Sequence, residues 1–323
     1  MHGYFSPYRC PTLSDGPSGE YLTYRLTDEA IGLIESSGSA PFFLNSWPYA
    51  VHTPIEAPEP LVAKYREKAR QMGLDKLRPF EDGEAFPFWQ KRGQRVQRRR
   101  IQSDPTYAAM IENLDWNIGR LLETLERSGH ADNTLVVFTS DNGGLATAET
   151  SPTSNAPLAE GKGWMYDGGV REPLLVGWPG VVEPGSRTAE PVTTPDFYPT
   201  LLEACGLALR PEQHRDGKSF LPILRGEPWT RGPIFWHYPH YSNQGGAPAA
   251  AVRDGTWKLV RFYDPPRQEL YNLAEDISES NDLATKETNV ARRLALQLDR
   301  WAESIGCVVP DENPYDPFED VPG

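Results

Sequence analysis

The run from Thr134 to Pro173 constrains this chain more than any other segment. It opens with Thr134-Leu-Val-Val-Phe-Thr-Ser140, short, continuously apolar and β-branched, which is how a strand buried on both faces of a parallel sheet reads. Asp141-Asn-Gly-Gly144 follows at the strand's carboxyl end. Ligands of open α/β sheets bind at that end, and two hard oxygen side chains suit a calcium or magnesium ion. Asp-Asn-Gly is equally ordinary turn chemistry, so the segment alone leaves both readings open.

The remaining pattern gives alternating helices and strands, then strands alone. Tyr21 to Ser37 is expected to be a helix, with Leu22, Leu26, Ala30, Leu33 and Ile34 on one side. Pro41 to Ser46 reads as a buried strand with His52 in the loop after it, and Glu56 to Arg70 as a second helix. From Gln71 to Gln102 periodicity disappears, and Gln90-Lys-Arg-Gly-Gln-Arg-Val-Gln-Arg-Arg-Arg100 is strongly basic. A solvated surface insertion is the expectation there; a hold on an anionic polymer is the alternative. Ser103-Asp104-Pro105 starts a long helix with Tyr107, Met110, Ile111, Leu114, Ile118, Leu121, Leu122 and Leu125 at helical spacing, expected to pack on the sheet. Leu174 to Trp178 is another buried-strand candidate, and Asp196 to Cys205 a short helix closed by Gly206.

From about Pro228 short strands follow one another: Ile234 to Tyr238, Ala249 to Arg253, Thr256 to Tyr263 and Gln268 to Leu273. They predict a small antiparallel sheet, covered by a helix from Asn289 to Ile305 through Val290, Leu294, Leu298 and Trp301. A Pro/Asp/Glu-rich tail ends the chain. The expected class is therefore α/β, with residues 1–227 forming the main portion and 228–323 an antiparallel subdomain and tail.

Composition narrows the functions. A net charge of -13 argues against a general nucleic-acid binder, which needs the opposite balance. Mean hydropathy of -0.55 and the lack of a long apolar run leave no candidate membrane span, and no signal peptide is visible at Met1. Three cysteines without metal-ligand spacing indicate neither a disulfide framework nor a zinc site. The 9 tryptophans and 14 tyrosines fit either a carbohydrate cleft or core filling.

Taken in order, Tyr21-Leu-Thr-Tyr-Arg-Leu-Thr-Asp-Glu-Ala30, Pro41-Phe-Phe-Leu, His52-Thr-Pro, Asp141-Asn-Gly-Gly144, Gly161-Lys-Gly163, Gly168-Gly-Val-Arg-Glu-Pro173, Asp196-Phe-Tyr-Pro-Thr-Leu-Leu202, Trp257-Lys-Leu and Glu269-Leu-Tyr-Asn-Leu273 resemble the type I, formylglycine sulfatases of the alkaline phosphatase superfamily. The resemblance implies an alkaline-phosphatase-like sheet flanked by helices, and sulfuric-ester hydrolysis with calcium. In that chemistry a hydrated formylglycine attacks sulfur, the alcohol leaves and sulfate is then eliminated. By motif, Asp141 and Asn142 match a later pair of calcium ligands, Lys162 the lysine on the sulfate, and His52 the histidine that protonates the leaving oxygen. His237 and His240 become substrate-binding candidates, because related sulfatases set this subdomain against the pocket; a structural role for each stays equally open. Arg171 reads as fold-stabilising.

Two elements of the family pattern have no counterpart. The paired aspartates of the first strand are not found, and Cys10, Cys205 and Cys307 all lack the Cys-x-Pro-x-Arg spacing. Ser39, Ser46 and Ser103 have proline two places on but no arginine. Met1 is thus expected to fall part-way into a family domain, leaving half a calcium site, no formylglycine and little or no turnover by the chain alone. The resemblance implies a sulfated small molecule or glycan as ligand and a periplasmic or secreted location. A missing amino-terminal half, or self-association through bare strands, is the expected partner. A non-catalytic glycan-binding pseudoenzyme and another superfamily hydrolase, such as a phosphodiesterase, are the alternatives.

Overall fold

The computed structural model describes residues 3–91 and 93–309, so the Pro/Asp/Glu-rich tail lies outside the described residues. Its elements run α1 (Leu22–Ser36), α2 (Glu59–Gln71), β1 (Phe80–Ala85), β2 (Arg95–Arg99), α3 (Pro105–Arg127), β3 (Val136–Thr139), α4 (Asp167–Val170), β4 (Leu174–Gly177), α5 (Thr194–Ala204), α6 (Leu221–Leu224), β5 (Ile234–Tyr238), β6 (Ala249–Asp254), β7 (Trp257–Tyr263), β8 (Pro266–Asn272) and α7 (Thr288–Ser304). They fall into two compact units. Of the described residues, the first holds those up to Pro79 with Ile101–Val136 and Val176–Gly180; the second holds those of Phe80–Arg100, Val137–Leu175 and from Val181 onward.

In the first unit, Asp104 caps α3 by accepting from the backbone N–H groups of Thr106 and Tyr107 at 2.9 and 3.0 Å, while Pro105 occupies the first turn, where no N–H is needed. The helix packs on α1 and α2 rather than on a sheet, which corrects the expectation. Only part of its apolar stripe is covered, and Ile111 and Leu122 stay exposed. Tyr4, Tyr8, Tyr21, Leu22 and Met110 form a small core here. The buried Tyr4 hydroxyl donates to the carbonyls of Tyr49 and His52, both at 2.8 Å.

The expected strand Pro41 to Ser46 is irregular. An extended segment becomes a strand only when a neighbour completes its ladder, and none does so among the described residues. Phe43 and Trp47 are consequently 78% and 79% exposed. The same cause limits β3 and β4, which among the described residues pair only with each other. Val137, Phe138 and Leu175, expected to be buried, are exposed.

The four-stranded sheet of the second unit follows its sequence pattern closely. It is antiparallel in the order β5-β6-β7-β8, with Ala251 opposite Val260 and Leu259 opposite Leu270. One face meets α7, where Ala250, Val252, Leu259 and Leu270 close on Leu294 and Leu298. The other face carries Ala249, Ala251, Val260 and Phe262, which pack with Val96, Trp164 and Tyr166. Alternate residues of each strand thus serve two separate cores.

A buried ion cluster ties this sheet to the start of α4. Lys258, fully buried on β7, lies 2.7 Å from Asp167 Oδ1 and 2.8 Å from Glu279 Oε1. The Asp167 backbone N–H donates to Glu279 Oε2 at 2.5 Å, and Arg171 stands 3.6 Å from Asp167 Oδ2. Nearby, Glu269 of β8 accepts from the hydroxyls of Tyr166 and Tyr271 at 2.7 and 2.9 Å. Burial raises the Glu279 carboxyl above its ordinary value, and Lys258 only partly opposes that.

Replacing Lys258 by Met leaves two buried carboxylates without their shared cation, and denaturant unfolding is expected to register a loss of about 3–5 kcal/mol. Because a carboxyl raised in the folded state binds more protons there than in the unfolded chain, stability falls as pH rises from the ordinary glutamate value through the raised one. Glu279→Gln should flatten that slope in melts run from pH 4 to 8, since the amide oxygen still accepts from Asp167; an unchanged slope would refute the assignment.

Candidate active site

Asp141 and Asn142 leave β3 directly, the first exposed and the second half-buried. The glycines after them are fixed by proximity. A Cβ on Gly143 would lie 1.7 Å from the Gly168 carbonyl oxygen, and one on Gly161 would lie 2.3 Å from that of Gly144. Gly143 N–H donates to Gly169 O at 3.1 Å, and Lys162 N–H to Gly144 O at 3.2 Å. Asn155 fastens the same point, its side-chain amide donating to the carbonyls of Gly144 and Glu160 at 2.8 and 2.9 Å. Asp-Asn-Gly-Gly, Gly-Lys-Gly and Gly-Gly-Val-Arg are therefore one interlocked piece of backbone. Close approach of main chain to main chain is the physical reason for glycine at these positions.

The basic segment is not a solvated insertion. β1 and β2 form an antiparallel hairpin, with Phe80 opposite Arg99 and an irregularity between Asp82 and Ala85. Val96 is completely buried, in the core with Trp164. Arg98 grips Glu160 with two nitrogens, one of them Nε at 2.9 Å from Oε2, and Arg99 Nε donates to the Ser151 carbonyl. Arg99 N–H also reaches Ala146 O at 2.9 Å. These bonds hold Ala148 to Ser151, four successive non-glycine residues with positive φ, a conformation that costs roughly 1–2 kcal/mol per residue. Arg98 and Arg99 thus brace the loop that leads to Lys162. The run of charge concealed this, because spacing alone does not reveal which arginines meet a buried acceptor.

Glu172 is the electrostatic anomaly. Its Oε1 is buried with no hydrogen-bond partner, and burial together with the Asp141 charge pushes its carboxyl up to about 7. Two carboxylates close enough to raise the pKa of one of them suit a hard cation. Asp141 and Asn142, with Glu172 beside them, match calcium in chemistry but fall short of its six to eight oxygens. Among the described residues no three His, Cys, Asp or Glu side chains cluster as a metal site. No helix among them is long and apolar enough to cross a membrane.

The histidines differ in setting. His52 belongs to the first unit, exposed, with Nδ1 2.9 Å from the Thr53 carbonyl oxygen. His237 has both ring nitrogens engaged, Nε2 at 3.0 Å from Val308 O and Nδ1 at 3.2 Å from the Tyr263 hydroxyl. His240 is exposed and meets the Tyr238 ring edge-on at 5.3 Å. Lys162 is half-buried. Sequence reasoning missed Glu160, Asn155, Glu172 and the Asp167–Lys258–Glu279 cluster. Glu172, Lys258 and Glu269 had a signal, as members of the Gly-Gly-Val-Arg-Glu-Pro, Trp-Lys-Leu and Glu-Leu-Tyr-Asn-Leu motifs.

With this geometry in place, comparison assigns the class. The family model described as Sulfatase matches residues 2–207, and one described as N-sulphoglucosamine sulphohydrolase, C-terminal, matches residues 160–304. The chain belongs to the sulfatase family. A sulfatase of Formosa agariphila is 36% identical over 310 residues, covering 89% of this chain and 50% of that protein. The crystal structure of Ps i-CgsB in complex with k-i-k-neocarrahexaose aligns with a TM-score of 0.70 at 27% identity, covering 90% of this chain and 57% of that one. That of BT4656 with D-glucosamine-2-N,6-O-disulfate, at 18% identity and a TM-score of 0.60, covers 93% and 73% and shares the fold. The α/β architecture is that of the alkaline-phosphatase-like sulfatases, and the chain spans about half the length of the Formosa relative.

Gly161→Ala forces a methyl into the Gly144 carbonyl and is expected to lower stability by about 1–3 kcal/mol in thermal melts. Gly255→Ala, where open space surrounds the Cβ position but φ is +62°, supplies the comparison for backbone strain alone. Gly161 has no positive φ, so an unchanged melt of Gly161→Ala would mean that packing there does not matter.

Proposed function

We propose that this chain supplies part of a sulfuric-ester hydrolase site acting on sulfated carbohydrate. The interlocked backbone of Gly143-Gly144, Gly161-Lys162 and Gly168-Gly169, next to Asp141 and Asn142, is the observation that carries the reading. Lys162 meets the sulfate oxygens from a braced loop, which is how a fixed donor counters charge developing there. By its motif, His52 is the candidate to protonate the leaving oxygen. Asp141 and Asn142 would hold calcium, which when bound supplies a Lewis-acid charge opposite the sulfuryl oxygens. The neocarrahexaose bound by Ps i-CgsB supports carbohydrate as the substrate class. His240, exposed beside Tyr238, is the better of the two histidine candidates for substrate contact.

No residue here has the Cys/Ser-x-Pro-x-Arg spacing, so the attack on sulfur is not assigned to this chain, and no appreciable turnover is expected from it alone. Mixing it with an amino-terminal sulfatase polypeptide that carries the motif is expected to restore sulfate release, with Lys162→Ala lowering kcat/KM about 100–1,000-fold. Turnover by the chain alone would overturn its inactivity. Saturable binding of sulfated glycan with no release in the mixture would favour the pseudoenzyme.

Val137, Phe138 and Leu175 on β3 and β4 are the surface that such a polypeptide would cover. Without it, bare apolar strands pair with each other. Sedimentation velocity of the chain alone should reveal concentration-dependent association, reduced severalfold in the Phe138→Ser/Leu175→Ser variant; a monodisperse monomer at all concentrations would contradict this.

A further inference from the structure

The tip of the β1–β2 hairpin and the loop after β5 meet beside the Lys162 segment. Phe88 and Tyr241, far apart in sequence, lie with ring centroids 6.4 Å apart and planes at 64°. Tyr241 is 40% exposed, and its hydroxyl is held by Asp264. Lys91 Nζ sits 4.4 Å from the Phe86 centroid and 5.8 Å from that of Phe88, and it donates to the Asn243 carbonyl at 3.4 Å. Among the described residues no carboxylate pairs with Lys91. In a chain of net charge -13 such a cation is available to an anion.

The loop bearing Tyr241 is tied by hydrogen bonds and packs against the glycine after Lys162. Ser242 N–H donates to Gly246 O at 2.8 Å, Gly245 N–H to Ser242 O at 2.9 Å, and the Trp164 indole to Gln244 O at 3.1 Å. A Cβ on Gly163 would lie 2.0 Å from Ser242 Oγ, and one on Gly246 would lie 1.9 Å from Gly163 O. Tyr241 thus adjoins Ser242, which touches the glycine after the lysine assigned to the sulfate, and Phe88 and Lys91 lie against Tyr241 and Asn243. Aromatic faces take the apolar C–H side of a sugar ring, and an ammonium at their edge takes an anionic substituent.

We propose that Phe88, Tyr241 and Lys91 form a subsite for a neighbouring ring of a sulfated glycan, with Lys91 on that ring's own anionic group. The proposal rests on the reading that Lys162 faces the sulfate to be removed. It sets the ligand class as an oligosaccharide with charge on more than one ring, rather than a small aryl or steryl sulfate.

The test is isothermal titration of the full chain with a sulfated carrageenan hexasaccharide, its desulfated counterpart and inorganic sulfate. Phe88→Ala and Tyr241→Ala are expected to weaken the hexasaccharide about five- to tenfold and leave inorganic sulfate within twofold, while Tyr241→Phe retains both. Lys91→Gln should weaken the sulfated hexasaccharide and not the desulfated one. Unchanged hexasaccharide affinity in both alanine variants, with Lys162→Gln weakened, overturns the subsite and leaves the sulfatase reading standing. Loss of inorganic sulfate binding in the alanine variants, in step with the hexasaccharide, also overturns it, since the aromatics would then only support the loop. A wild-type chain that binds neither sulfated probe overturns both readings.

Discussion

Lys258 is the fixed point of the second unit. A buried ammonium gains no hydration, so its place is set by the two carboxylates that hold it. Those carboxylates come from opposite directions: Asp167 opens the turn of α4, and Glu279 follows β8. Through Asp167 the antiparallel sheet holds Gly168-Gly169, and through Gly168 it holds Gly143. The sheet therefore positions a strand end and a lysine loop that it does not itself contain. Glu269, taking both tyrosine hydroxyls, repeats the attachment one residue earlier, at Tyr166.

Legibility in the sequence followed the range of the physics. The strands β5 to β8 and helix α7 were readable because alternation and helical spacing report local burial, and Leu294 and Leu298 do face the sheet. The helix beginning at Pro105 was readable from its cap. The strand expected at Pro41 to Ser46 was not realised, because the sequence records a preference for extension and not the neighbour that completes a ladder. The apolar run at Val136 was rightly a strand, yet Val137 and Phe138 are exposed on it, because apolar composition does not record which neighbour lies alongside.

The candidate site divides in the same way. Asp141, Asn142 and Lys162 were found through motifs, and the glycines that bind those motifs together were inside them. Glu160 and Asn155 had no such signal, because a buried carboxylate is recognised only once its arginine is seen. Arg98 and Arg99 carried a misleading one, since a basic run ordinarily lies in water.

The bond between Arg98 and Glu160 spans 62 residues, and this separation bears on the order in which the molecule assembles. A hairpin such as β1–β2 closes locally and early, within microseconds, whereas the loop from Gly144 to Gly163 must wait for distant partners on both sides. The run of left-handed residues at Ala148 to Ser151 cannot nucleate its own shape. The position of Lys162 is thus the product of contacts made by distant parts of the chain and not of its own loop.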